Sequence, residues 1–201
     1  MHALIRKLIN EELKPIMEAI IRSSDAPDTL TFWHGGDLDA RESHVTHRSG
    51  RSEYGPGLYL TTSYGTAKSY AKGTRKLYLV VVQKGNDMAD ANLPEQMVHE
   101  FIMQNVVTSK RKVVMEQLKK WGRDGAISAD IFNNIMVNEN AVRTSNMHTL
   151  RQFYIDQGID YAITSNIGGD GGKMMVLFNM KKIIDVTRVM PGDTIGTFDL
   201  H

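Results

Sequence analysis

The chain has 201 residues and contains no cysteine. That absence excludes a disulfide framework, a thiolate nucleophile and a zinc site built on cysteine. The closely spaced histidines His44 and His47 have no third metal ligand marked beside them in the sequence. We therefore expect no metal site at this pair, because a metal needs more ligands than two exposed loop histidines supply.

Neither sign of charge dominates the composition. The sequence has 24 Lys and Arg residues against 23 Asp and Glu residues, which gives a formal net charge of +1. Such a balance provides no general attraction for nucleic acid or for a membrane surface. Long apolar runs are also lacking, and charges interrupt the N-terminal segment where a signal peptide would be apolar. We expect a cytoplasmic protein that does not bind membranes, and the sequence leaves its oligomeric state open.

The residues that are present favour one main domain with an extension. Apolar residues make up 41% of the chain, which suffices for one sizeable core. Residues 1–28 are predicted to form an amphipathic helical extension, with Pro15 as a kink. Residues 29–201 form the predicted main domain, which contains a helical insertion at about residues 93–157.

Strands and helices alternate in the predicted main domain. Runs rich in valine and aromatic residues predict the strands TLTFW, GLYLTT, KLYLVVVQ, IDYAIT, KMMVLFN and KIIDVTRV. Helical spacing predicts helices in SYGTAKSYA, PEQMVHEFIMQNVV, KRKVVMEQLKKWGR and MHTLRQFYIDQG. Ser63 is a candidate N-cap, Gly158 a candidate C-terminal cap, and the glycine-rich NIGGDGG is expected to be irregular. The sum is an α+β fold around a twisted, largely antiparallel sheet.

Three segments carry residues that suit a ligand pocket. FWHGG ends a strand with His34 and two glycines that leave the backbone bare, although a simple turn also explains the glycines. Tyr59 and Tyr70, on a strand and the next helix, could sandwich a flat, electron-poor ring or could pack in the core. GGDGGKMMVLFN could fold a mobile loop over a ligand, and a surface hairpin has the same composition.

In this order, the motifs resemble the ADP-ribosyltransferase fold, in the clade with a His, Tyr, Glu signature that includes diphtheria-type toxins and poly(ADP-ribose) polymerases. WHGG resembles the family's first strand. GPGLYLTTSYGTAKSYA resembles its Gly-x-Gly-Ile-Tyr-Phe strand and the following helix, with two tyrosines eleven positions apart. KLYLVVVQKGNDMAD and MMVLFNMKKIIDV resemble later strands, so the likeness covers about residues 30–90 and 158–189. It implies a split sheet with flanking helices and, by similarity to domains in phage and toxin polyproteins, a bacterial or phage origin.

The resemblance implies NAD as co-substrate and gives roles to matching residues. His34 would orient the adenosine ribose, and Gly35 would hold the nicotinamide carboxamide through its backbone. Tyr59 and Tyr70 would stack on the nicotinamide. His34 and Tyr59 thereby stand for the first two residues of the family's catalytic signature.

Other positions complete the implied dinucleotide site. Gly36 and Thr61 fall among the family's binding positions, although Gly36 is often serine or threonine in the family. Ala67 stands where many members have a serine for the carboxamide. Arg48 and Arg51, in the loop between the first two motifs, could bind the pyrophosphate or remain solvated.

The resemblance breaks down at the catalytic acid, because Met174 stands where the family has its glutamate. Cleavage of the N-glycosidic bond of NAD passes through an oxocarbenium-like transition state, which a carboxylate stabilises and a thioether cannot. By analogy, such a loss amounts to about 3 kcal/mol, or roughly 100-fold in rate. Asp170, in the glycine-rich loop, is the candidate stand-in, and Glu139 is a weaker one.

These observations favour an NAD-dependent mono-ADP-ribosyltransferase acting on a macromolecule, most simply a protein. The alternative is a catalytically inactive module of the same fold that binds NAD or ADP-ribose, or a structural protein. A third hypothesis is nucleic-acid binding by the basic helix at residues 110–123, although a charge-rich helix is usually a solvated face.

Overall fold

The structure is a computed structural model that describes residues 28–38, 54–73, 76–122, 124–167 and 172–189. Residues 1–27 of the predicted N-terminal extension and the pair His44 and His47 lie outside these residues. The described residues contain eight strands: β1 (Thr29–Gly35), β2 (Leu58–Thr61), β3 (Leu77–Gln83), β4 (Asn92–Pro94), β5 (Ala126–Ser128), β6 (Tyr161–Ile167), β7 (Gly172–Leu177) and β8 (Ile183–Val189). Five α-helices accompany them: α1 (Tyr64–Ala71), α2 (Glu95–Asn105), α3 (Thr108–Lys119), α4 (Ala129–Asn138) and α5 (Met147–Asp156).

Six of the strands form one sheet in the order β6-β7-β2-β1-β3-β8, and all of its ladders are antiparallel. The predicted α+β fold with a largely antiparallel sheet is therefore confirmed. The inner strand β3 is buried on both sides, which explains its run of three valines, since a strand covered on both faces needs no polar alternation.

The two faces of this sheet are covered differently. On one side, called here the helix face, Trp33 and Leu79 pack with α1, and Val176 packs against the core of helices α2 to α5. The other side, called here the far face, is lined by a second group of buried apolar residues: Phe32, Leu58, Leu60, Val80, Val82, Tyr161, Met175 and Leu177. Because successive side chains in a strand point to opposite faces, this division fixes the face of every strand residue.

The sheet is split between β1 and β2. These strands share one residue pair, Trp33 with Thr61, whereas β1 pairs with β3 along seven residues. Beyond that one pair, the ladder hydrogen bonds that would normally close the gap are replaced by other contacts. The split lies at the end of the strand that carries His34.

The predicted insertion folds as α2, α3, α4 and α5 around a shared core, together with the short hairpin of β4 and β5. Helices α2, α3 and α5 were predicted from their apolar spacing. Helix α4 and the hairpin were not, because α4 carries the poor helix formers Asn133 and Asn134 and three-residue strands show no period. Burial of Phe132 and Met136 stabilises α4 despite its weak propensity.

Both predicted caps are present. Ser63 precedes α1, and its Oγ accepts a hydrogen bond from the Thr66 amide at 3.1 Å. Gly158 has a φ of +76°, and its amide and that of Ile159 bond to carbonyls in the last turn of α5. This is the pattern that favours glycine after a helix.

The glycine-rich segment is more regular than predicted. Strand β6 continues to Ile167, and β7 begins at Gly172, with these two residues paired. Glycine does not exclude a strand where the partner's backbone is in register, so the expectation of an irregular segment from Asn166 to Gly172 was wrong at its ends. The described helices include none long and apolar enough to cross a membrane.

Gly35 is required where α1 crosses β1, which yields a stability prediction. A Cβ at Gly35 would lie 1.8 Å from the Ala67 carbonyl oxygen, so Gly35→Ala must push the helix away. We expect a loss of about 3 kcal/mol in the free energy of unfolding, measured by urea denaturation. Gly73→Ala is the matched control, since nothing lies within 4 Å of that position, and equal losses in both variants would contradict the prediction.

Candidate functional site

The His34 side chain bridges the split in the sheet. It leaves β1 on the far face, beside Tyr78 of β3, and its Nδ1 lies 2.9 Å from the Tyr59 carbonyl oxygen of β2. A carbonyl oxygen can only accept a hydrogen bond, so Nδ1 carries the proton and donates. The other ring nitrogen, Nε2, is then an acceptor whenever the ring is neutral.

His34 is neutral at ordinary pH. Burial lowers the pKa of its imidazole below the usual value of 6.5, and the Tyr59 carbonyl and the nearby Asp37 only partly oppose this shift. Nε2 is buried and no group in the described part of the chain meets hydrogen-bond geometry with it, although the Asp37 backbone lies close enough to the ring to raise its pKa. A buried acceptor without a donor costs about 1–3 kcal/mol, so the site stores a polar group that a ligand could satisfy.

A tight turn lies over Nε2. Gly36 has a φ of +137°, and a Cβ there would lie 3.5 Å from Nε2. The Gly36 amide donates to the Lys76 carbonyl at 3.0 Å, and the Lys76 ammonium pairs with the Asp37 carboxylate. The turn from Gly36 to Leu38 thus joins the end of β1 to the start of β3.

Tyr59 lies on the helix face, not on the face of His34. It is the register partner of Val176 and packs against the core of the insertion. Its hydroxyl donates to the Gly55 carbonyl at 2.9 Å and accepts from the Tyr54 amide at 3.1 Å. The structure therefore joins His34 to the backbone of Tyr59 and holds the two side chains on opposite faces.

Asn133 of α4 anchors the segment that holds Tyr59. This side chain is 3% exposed, donates to the Tyr54 carbonyl at 3.2 Å and accepts from the Tyr154 hydroxyl at 3.0 Å. A Cβ at Gly55 would lie 2.7 Å from its Oδ1. Complete burial raises the pKa of Tyr154 well above its usual value, so that hydroxyl remains a donor. The insertion therefore positions Tyr59 through a buried polar network.

The remaining residues of the tyrosine motif lie on or near α1. Tyr70 is 55% exposed, which leaves its ring accessible to a ligand or partner. Tyr64 is buried edge-on against Trp33, at 5.2 Å between ring centroids, and secures the helix on the sheet. Thr61 is buried, and its hydroxyl accepts from the Ser63 amide at 3.1 Å, so it supports the start of α1.

Met174 occupies the rung of the sheet next to Thr61. It is paired with Thr61 on one side and with Thr164 on the other, lies on the helix face and is 4% exposed. The position of β7 that pairs with Thr61 of β2 is thus occupied by a buried thioether. Glu139 does not reach it: this carboxylate accepts from Gln117 at 2.6 Å and pairs with Lys110 at 3.7 Å.

Three predicted site residues, Asp170, Arg48 and Arg51, lie outside the described residues.

In the basic helix at residues 110–123, Arg111 has a structural role, because its Nε donates a hydrogen bond to the Val106 carbonyl at the end of α2. Lys112, Lys119 and Lys120 are exposed.

Sequence reasoning missed Tyr78, Arg188 and Asn133. Tyr78 and Arg188 follow His34 in one row of cross-strand partners, which only the register reveals. The sequence gives one weak indication for Tyr78: it is the residue with a polar group in the otherwise apolar run LYLVVV.

No family model matches the chain, and no curated protein matches it. A solved structure described as an anti-CRISPR protein is similar at a TM-score of 0.37 and 10% identity, over 82% of this chain and 100% of that one. A TM-score at this level supports neither a shared fold nor a shared activity.

The lowered pKa of His34 predicts how stability depends on pH. The unfolded chain binds a proton near pH 6.5 and the folded chain only below that, so protonation favours unfolding. The contribution of His34 is fully present above pH 6.5 and decreases as the pH falls towards the folded-state pKa. Urea denaturation from pH 5 to 8 should show a steeper loss in the wild type than in His34→Gln.

Substitution of the exposed His99 by Gln is the control for that experiment. It should leave the pH dependence of the wild type unchanged. A His34→Gln profile parallel to that of the wild type would contradict the assignment.

The Asn133 network predicts a coupling between the insertion and Tyr59. Asn133→Ala leaves the Tyr54 carbonyl and the Tyr154 hydroxyl without this partner, so we expect a loss of about 2–3 kcal/mol in unfolding free energy. Combined with Tyr59→Phe, the two losses should be non-additive by at least about 0.5 kcal/mol. The neighbouring exposed Asn134→Ala serves as control, and simple additivity in both pairs would refute the coupling.

Proposed function

We propose that this chain binds NAD and transfers ADP-ribose from it to a macromolecular acceptor, with a protein as the favoured target. The proposal rests first on His34. Its neutral ring offers a buried acceptor at Nε2, and its orientation is fixed by the Tyr59 carbonyl. A ribose hydroxyl is a neutral donor of the kind that this nitrogen lacks.

The surroundings of His34 fit a ribose better than a charged group. Burial already disfavours a proton on the ring, so an anion would gain no charge partner from His34 itself. Because Nε2 is buried in this structure, ligand binding requires the residues over it to shift.

The chain's own residues give the other half of a dinucleotide separate support. Tyr70 presents an exposed ring beside the sheet, suited to stacking on a flat, electron-poor ring. Gly36 leaves the turn after β1 without a side chain, whereas the backbone of α1 lies against Gly35. Tyr59, whose ring is held by the hydrogen bonds of its hydroxyl, would stack on the same ring of the ligand.

Met174 favours a second candidate function, a silent module that binds NAD or ADP-ribose without cleaving it. The buried thioether has threonines as its register partners on both neighbouring strands. Among the described residues, the cross-strand row that contains Thr61, Met174 and Thr164 has no carboxylate. Asp170 remains the proposed stand-in for the acid in the transferase.

Calorimetric titration of NAD, with nicotinamide release followed by chromatography, tests both functions. We expect NAD to bind the wild type, and His34→Ala to weaken binding about tenfold through loss of one buried hydrogen bond. Tyr70→Ala should weaken it by a smaller factor. The exposed His99→Gln is the control and should bind as the wild type does.

The outcomes separate the candidates. Binding with release that Asp170→Asn abolishes supports the transferase with a substitute acid. Binding without release supports the silent module. If NAD does not bind at all, or binds His34→Ala as well as the wild type, both candidates fail.

A further inference from the structure

A row of three chemically distinct side chains crosses the far face from the split to the edge of the sheet. His34 of β1, Tyr78 of β3 and Arg188 of β8 are successive register partners. The rings of His34 and Tyr78 are tilted by 30° with centroids 6.3 Å apart. Since paired strands hold partner Cα atoms about 5 Å apart, the row spans roughly 10 Å.

Arg188 is the cationic end of this row. It is exposed and forms no ion pair with any residue that the structure describes. Lys76, at the start of β3, is near enough to Arg188 for their charges to oppose each other. With the Asp37 carboxylate paired to Lys76, the two cations still leave a net positive charge here, which favours an anion.

We propose that this row binds a phosphorylated ribonucleoside. A phosphate group would lie on Arg188 and Lys76, the ring of Tyr78 would support the sugar or base, and a ribose hydroxyl would donate to His34 Nε2. This inference deepens the proposed function, because it assigns one half of the dinucleotide to the far face.

The arrangement also explains how Nε2 becomes accessible. Lys76 now pairs with Asp37 in the turn that lies over the ring. A phosphate competes with Asp37 for the Lys76 ammonium, which loosens the turn. The anion and the ribose hydroxyl would therefore bind together, each favouring the contact of the other.

Calorimetric titration of ADP into the whole chain tests the site without requiring any chemistry on NAD. We expect ADP to bind, and Arg188→Gln to weaken it about tenfold or more, because hydrogen bonds to charged groups are the stronger ones. Arg188→Lys keeps the charge and should retain part of the affinity. Arg143→Gln, which removes a second exposed arginine on the insertion, is the matched control and should have no effect.

Nicotinamide mononucleotide and NAD are titrated in parallel to separate this inference from the proposed function. ADP binding that depends on Arg188 supports the site, even if NAD is neither bound nor cleaved. If NAD binds and ADP does not, or if Arg188→Gln and Arg143→Gln weaken ADP equally, the site is refuted while the proposed function stands. If no nucleotide binds, both are overturned.

Discussion

The hydrogen bond from His34 to the Tyr59 carbonyl is the contact on which the site depends. Buried backbone groups must be paired, and where β1 and β2 part, a side chain takes over from the ladder. That one bond fixes the tautomer of His34, the width of the split and the direction of Nε2. A residue without a ring donor here would leave the Tyr59 carbonyl without this partner and the split without its bridge.

Hydrogen bonds connect the helical insertion at residues 93–157 to Tyr59 of β2. Asn133 is buried among apolar side chains, and its two hydrogen bonds make that burial tolerable. Through Tyr54 and Gly55, it holds the hydroxyl of Tyr59. The helices of residues 93–157 therefore complete the core and orient a proposed ligand-binding residue at the same time.

The faces of the sheet separate residues that the motifs bring together in the sequence. His34 and Tyr59 belong to adjacent strands, yet their side chains diverge, because Gly35 and not His34 would stand opposite Tyr59. A dinucleotide that used both would have to pass the end of β1, where α1 lies against Gly35. Gly35 is constrained there by α1, whereas Gly36 supplies the positive φ that turns the chain over His34.

The sequence by itself determined the six strands of the large sheet, the helices with strong apolar spacing, both caps and the α+β class, because these depend on neighbours a few residues away. The register decided the rest. Only the tertiary structure aligned His34, Tyr78 and Arg188 in one row and brought Asn133 to Tyr54. Successive members of the row are 44 and 110 positions apart in the chain, and Asn133 and Tyr54 are 79 positions apart.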